Sequence, residues 1–329
     1  MSRFGQRSRV NTAVSAWMPT GDEVPQRTSV AGYVAGGRND VATARATVDK
    51  LSFSNETLSS LGTGLTGATQ QAGSFADSGI AGYVVGGYSG GYLSRIDKFT
   101  FPADSKTTLS ATLTIALRYN QGSFSNSGVA GYSVAGAAAS YYDGIDRIAF
   151  PADTKTTLAA VLTEGVAEAS GCSNYGTAGY VFGGYNSGST VTSRIDKLSF
   201  PAETKSTLAA ALTGASLDHQ TFSNQNTSAY ICGGFNSTFS VWLTRVDKVA
   251  YSTDVLSTGG STLSIGLALG AGFADSNNAG YVCGGNDSTN DTISAIKKIV
   301  VSTDTHSTIT ATLSTDCDRS TGFANEGVF

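Results

Sequence analysis

A chain of 329 residues with 14% charged residues and 40 glycines is lightly charged for its size, since ordinary proteins carry about 25%. The net charge of -4 excludes the basic footprint that sequence-independent nucleic-acid binding requires. Hydrophobic residues make up 40%, which argues against disorder, and no run approaches the roughly 20 apolar residues of a membrane helix.

Residues 1–28 come first in chain order. Arg3, Arg7 and Arg9 are not followed by an apolar stretch, so a secretory signal is not expected and the chain reads as made in the cytoplasm. The segment mixes these arginines with Phe4, Val10, Val14 and Trp17, and has too little apolar surface to fold alone. It reads as a docking arm in which Arg3, Phe4, Arg7, Arg9 and Trp17 meet a larger assembly. An arm folded back over its own domain is the alternative.

Residues 29–329 repeat about every 50 residues. The segments AGYVAGG (31–37), AGYVVGG (81–87), AGYSVAG (130–136), AGYVFGG (178–184), SAYICGG (228–234) and AGYVCGG (279–285) are followed by a second motif. It reads TVDKLSF, RIDKFTF, GIDRIAF, RIDKLSF, RVDKVAY and AIKKIVV in turn. A turn follows, as in FPADSKTTL (101–109), where Pro sets φ and the Asp side chain can bond nearby backbone. An L-x-A-x-L alternation such as Leu109-Ala111-Leu113 then predicts a strand. Last comes a short piece around Phe75, Phe124, Phe222, Phe273 or Phe323, with Cys172 in that slot once.

Each unit thus predicts four short strands and no helix. One such sheet cannot bury both faces, but copies packed radially can. The first repeat lacks its Phe-bearing strand, and TGFANEGVF at the other end supplies one. The expectation is an all-β, closed six-bladed β-propeller, antiparallel within each blade, whose ring is closed by the C-terminal strand.

These motifs resemble the kelch repeat, through a strand ending in Gly-Gly and a later strand running into a Pro-Asp turn. The Trp that follows that turn in kelch repeats is replaced by Thr107, Thr156 or Thr207. The wording GYVxGG…RIDKxxFPADTKTTL is similar to repeat proteins encoded by cyanophages and other tailed phages. That resemblance implies a virion or tail-associated protein, which leaves the cell by lysis and needs no export signal.

Catalytic patterns are sparse. Four cysteines match no metal spacing, and Cys232 and Cys283 share a strand slot with Val85, Phe182 and Ala35. His306 sits where other repeats have Lys106 or Lys205 and reads as a solvated turn residue; His219 lies between blades and is a minor candidate for lining a site. The pairs Asp49–Lys50, Asp97–Lys98, Asp146–Arg147, Asp196–Lys197 and Asp247–Lys248 mimic acid/base dyads. Adjacent strand residues face opposite ways, so they read as ties between blades. The last blade departs with Lys297–Lys298. No enzyme activity, metal or cofactor is expected.

In a four-stranded up-and-down sheet, the Gly-Gly-led loops and the blade-to-blade connections share one rim. They carry Tyr88, Tyr92, Arg118, Tyr141, Tyr142, Tyr185, Phe235, Phe239 and Trp242, with Arg319 on the same side. Aromatic groups on supported loops suit a glycan or protein ligand, or they pack the loops together. The function expected is a phage appendage or decoration that docks to virion proteins and binds the host surface. A cytoplasmic protein-interaction scaffold is the alternative, and a glycan-acting enzyme comes third.

Overall fold

The structure, a computed structural model, describes residues 30–236, 240–276 and 278–325. Among these, six four-stranded antiparallel sheets stand as the blades of a propeller. Blade 2 is typical: Gly73–Asp77 is innermost, then Ala81–Val85, Ile96–Thr100 and Ser105–Thr108. Blade 1 takes its inner strand from the far end of the chain. Thr321–Ala324 pairs antiparallel with Ala31–Ala35, placing Phe323 opposite Tyr33, and the expected closing strand is in place.

The Ala-Gly-Tyr motif explains how the blades stack. Successive strand residues face opposite ways, so the Gly and the Tyr serve different neighbours. A methyl group on Gly131 would lie 2.0 Å from the Phe75 ring of blade 2, so the bare glycine makes room for that ring. Tyr83 of blade 2 points the other way, and Phe150 of blade 3 stacks on it at 5.2 Å. Where Cys172 replaces the Phe in blade 4, the glycine slot of blade 5 holds Ala229, and both are fully buried. Tyr251 takes the place of Phe150 there, and its hydroxyl bonds Ser223 at 2.6 Å. The added Ala229 methyl and Tyr251 hydroxyl make up part of the volume that Cys172 gives away at this interface.

The tyrosines also carry a polar tie. Tyr83 Oη donates to Asp153 Oδ1 at 2.7 Å, and Lys98 Nζ bonds Asp153 Oδ2 at 2.7 Å. Asp153 belongs to the turn of the next blade. The same relation joins Tyr33 and Lys50 to Asp104, Tyr132 and Arg147 to Glu203, and Tyr180 and Lys197 to Asp254. Tyr230 and Lys248 bind Asp304, while Tyr281 and Lys298 bind Glu56 of blade 1 and complete the circle. The turn acids were expected to bond nearby backbone; their carboxylates instead reach across to the preceding blade. All six adopt φ between 51° and 55°. That left-handed conformation is costly for a residue other than glycine and persists where surroundings fix it.

The Asp of each Asp-Lys pair turns the opposite way, as expected. Asp97, 1% exposed, accepts from Thr66 N at 2.9 Å, Thr66 Oγ1 at 2.7 Å and Thr108 Oγ1 at 2.7 Å. Thr66 lies on the connection from blade 1, so the Asp clamps the incoming chain. In blade 6 the slot holds Lys297, buried, with Nζ bonded to Thr308 Oγ1 at 3.0 Å. Burial lowers its pKa.

Two expectations need correction. The outer strand is not Leu-x-Ala-x-Leu in most blades: it ends at Thr108 in blade 2 and Thr157 in blade 3, before the leucines. The leucines follow in extended chain that keeps the inward alternation, with Leu113 buried. Only blade 6 runs the strand on, as Thr305–Thr312. His306 lies half-buried within that strand and not in a turn, as Lys106 and Lys205 also lie within theirs.

Candidate rim site and central channel

The Gly-Gly loops and blade connections do share one rim, bridged as Leu93 to Leu117 and Arg118 to Ala137. The glycines make the loops possible: Gly87 has φ of 100°, and a methyl there would sit 2.5 Å from Thr69 Cγ2.

At the centre of this rim the blades are joined by a closed ring of backbone hydrogen bonds. Tyr119 N donates to Gln71 O at 2.8 Å, Glu168 N to Tyr119 O at 3.3 Å, and Asp218 N to Glu168 O at 2.8 Å. Leu269 N then donates to Asp218 O at 3.0 Å, Arg319 N to Leu269 O at 2.6 Å, and Gln71 N to Arg319 O at 2.8 Å. All six residues have φ between 54° and 64°. This collar surrounds the mouth of the central channel, and its Tyr119, Glu168 and Asp218 border the rim.

Beside the mouth opens a cavity of about 550 Å³, lined by Arg118, Tyr119, Tyr141, Glu168, Tyr185, Asp218 and Phe235 with Leu217 and small residues between them. Tyr141 and Tyr185 meet edge to face at 5.9 Å, and Trp242 backs Phe235 at 4.7 Å. The Arg118 guanidinium lies over three rings: Tyr119 at 4.7 Å, Tyr88 at 5.3 Å and Tyr92 at 5.4 Å. Burial raises the Glu168 carboxyl despite the guanidinium groups of Arg319 and Arg118. Burial raises Asp218 far more, with Glu168 adding to the effect.

Of the rim residues picked from sequence, Arg118, Tyr141, Tyr185 and Phe235 line one cavity, while Tyr88, Tyr92 and Trp242 support them. Tyr142 does not join; its ring folds over Gly144, where an added methyl would lie 2.2 Å from it. Phe239 and the arm residues Arg3, Phe4, Arg7, Arg9 and Trp17 lie outside the described residues. Sequence reasoning missed Tyr119, Glu168 and Asp218. Their signal was positional: Gln71, Glu168, Asp218, Leu269 and Arg319 each fall four residues before the Phe or Cys of the inner strand, and Tyr119 falls five before.

Below the collar the channel narrows to a void of about 30 Å³ lined by Gln121, His219, Gln220 and inner-strand backbone. His219 is 5% exposed, its Nε2 lies 2.8 Å from Ser216 Oγ, and burial pushes its pKa down to about 3. It is thus a neutral histidine packed at the channel wall. Among the described residues, no three His, Cys, Asp or Glu side chains group to hold a metal ion.

No protein-family model matches the chain, and no curated protein matches it. Among solved structures, that of YjhT superposes with a TM-score of 0.65 at 16% identity, over 87% of this chain and 99% of that one. At that identity the likeness is one of fold, and the fold is a six-bladed β-propeller.

Proposed function

We propose that the chain is a non-enzymatic binding propeller of a tailed-phage particle, whose rim cavity holds a glycan or protein of the host surface. The observation that carries the binding part is the cavity, where rings of Tyr141, Tyr185 and Phe235 stand beside Arg118 and two carboxyl groups. Flat apolar faces with a few directional polar groups suit saccharide and peptide ligands alike. The loops are bridged to one another and to the collar. Little ordering entropy is then lost on binding. The phage part is supported by the similarity of the repeat wording to phage-encoded repeat proteins. In this reading residues 1–28 dock on a virion protein through Arg3, Phe4, Arg7, Arg9 and Trp17, and the protein resides in the virion.

Mass spectrometry of purified particles tests it, comparing the full chain with a version lacking residues 1–26. The expected result is a full chain present in particles and a shortened chain that folds but is absent from them. A full chain confined to the cytoplasm would support an interaction scaffold instead.

A further inference from the structure

Arg118 stands apart from most of the described arginines. Arg38, Arg45, Arg95, Arg147, Arg194 and Arg245 each donate to a carboxylate, hydroxyl or carbonyl. Arg319 has Asp318 no closer than 4.0 Å, and its Nε is also buried without a hydrogen-bond partner, but among the described residues no tyrosine ring faces it. The Arg118 guanidinium has three tyrosine rings around it and no acceptor within bonding distance among the described residues, and its Nε is buried without a partner. Rings satisfy the flat faces of a guanidinium, but its N–H bonds lie in the plane and point past them. Leaving such a donor unmet is costly unless something else meets it. The group that fits a planar fork of donors is an oxyanion.

We infer that the rim cavity takes a ligand carrying an oxyanion, as a carboxylate or a phosphate, seated on Arg118 beside the rings of Tyr141, Tyr185 and Phe235. This rests on the rim cavity being the binding surface proposed above. Glu168 and Asp218 also face the cavity and would repel an anion if both were ionised. Burial raises both carboxyls, so each is closer to neutral than a surface acid, and a protonated carboxyl can donate to the ligand. Arg319 adds a second positive charge on the collar.

Calorimetric titration with glucose, glucuronate and glucose 6-phosphate, at millimolar concentration and low salt, tests the inference. At least one charged sugar is expected to bind about tenfold more tightly than glucose, a gap of about 1.4 kcal/mol. Preference for glucuronate marks a carboxylate site, and preference for the phosphate marks a phosphate site. Arg118→Gln should abolish the preference while the melting temperature stays put, and Arg118→Lys should restore it only in part because the fork is lost. Equal binding of the three sugars, no binding of either charged sugar, or an unchanged preference in Arg118→Gln would overturn it. The double variant Tyr141→Ala/Tyr185→Ala separates the two claims. If it leaves binding of all sugars intact, the rim is not the site; if it weakens all of them without a charge preference in the native chain, only the oxyanion fails.

Discussion

Lys298, in the last blade, bonds Glu56 in the turn of the first. The contact repeats the relation between Lys98 and Asp153, although the residue before Lys298 is Lys297 and not Asp. The Lys tie to the next blade and the Asp clamp on the incoming chain are therefore separable devices that share one dipeptide.

Glu56→Ala removes the acceptor shared by Tyr281 and Lys298 at the seam between the last and first blades. The pair is about a quarter to a third exposed, so screening reduces its worth, and a loss of about 1–2 kcal/mol is expected. Chemical denaturation measures it. Deleting residues 319–329 should do much more, since it strips the inner strand from blade 1 and bares the edge of Ala31–Ala35. A truncated chain that melts like the native one would show that the seam contributes nothing.

Asp97→Asn keeps the shape and removes the charge that Thr66 and Thr108 donate to. A loss of about 2–3 kcal/mol is expected, with unchanged binding at the rim. Reduced ligand affinity at unaltered stability would mean that Asp97 belongs to a site and not to a clamp.

The Cys172–Ala229 interface offers a coupling test. Cys172→Phe alone should be strongly destabilising, because Ala229 occupies the space that glycine leaves open elsewhere, as Gly131 does for Phe75. Adding Ala229→Gly and Tyr251→Phe should recover most of the loss. Additive effects in the denaturation cycle would mean that these three positions do not share one packing problem.

Much of this architecture could be read in the repeat. The 50-residue spacing gave six blades, and the complementary ends gave the closing strand, because a period-2 pattern with Gly and Tyr on opposite faces leaves few arrangements. The outer strand was misplaced because Leu109, Ala111 and Leu113 keep a strand-like alternation after regular pairing ends at Thr108, with only single hydrogen bonds from Leu109 N to Ile96 O and Leu113 N to Ser94 O continuing it. The partners of Asp104 and its equivalents were illegible too, since the donors lie on a neighbouring blade some 54 or 71 residues away in sequence. The rim aromatics could be picked out, but not the collar. Its six members, from Gln71 to Arg319, share a backbone conformation and no side-chain type.

Asp218 gives a pH signature. Burial raises its folded pKa above the ordinary 3.8, so the native state holds the proton more tightly than the unfolded chain does. Its contribution to stability is then full below the unfolded pKa and is lost as pH rises through the folded one. Asp218→Asn should therefore be more stable than the native chain near neutral to mildly alkaline pH, with the advantage shrinking as the solution is acidified. Melting curves across that range would show it. An advantage that grows on acidification would mean that Asp218 is held as an anion.

The most direct measurement is calorimetric titration of glycan fragments from the host envelope into the native chain and into Tyr141→Ala/Tyr185→Ala. The two chains should have closely similar melting temperatures, because both rings border an open cavity and not the core between blades. The expected result is saturable binding to the native chain, weakened by about tenfold or more in the variant, a loss of at least 1.4 kcal/mol. Equal affinity of the two chains for the same fragments would contradict a binding site on this rim.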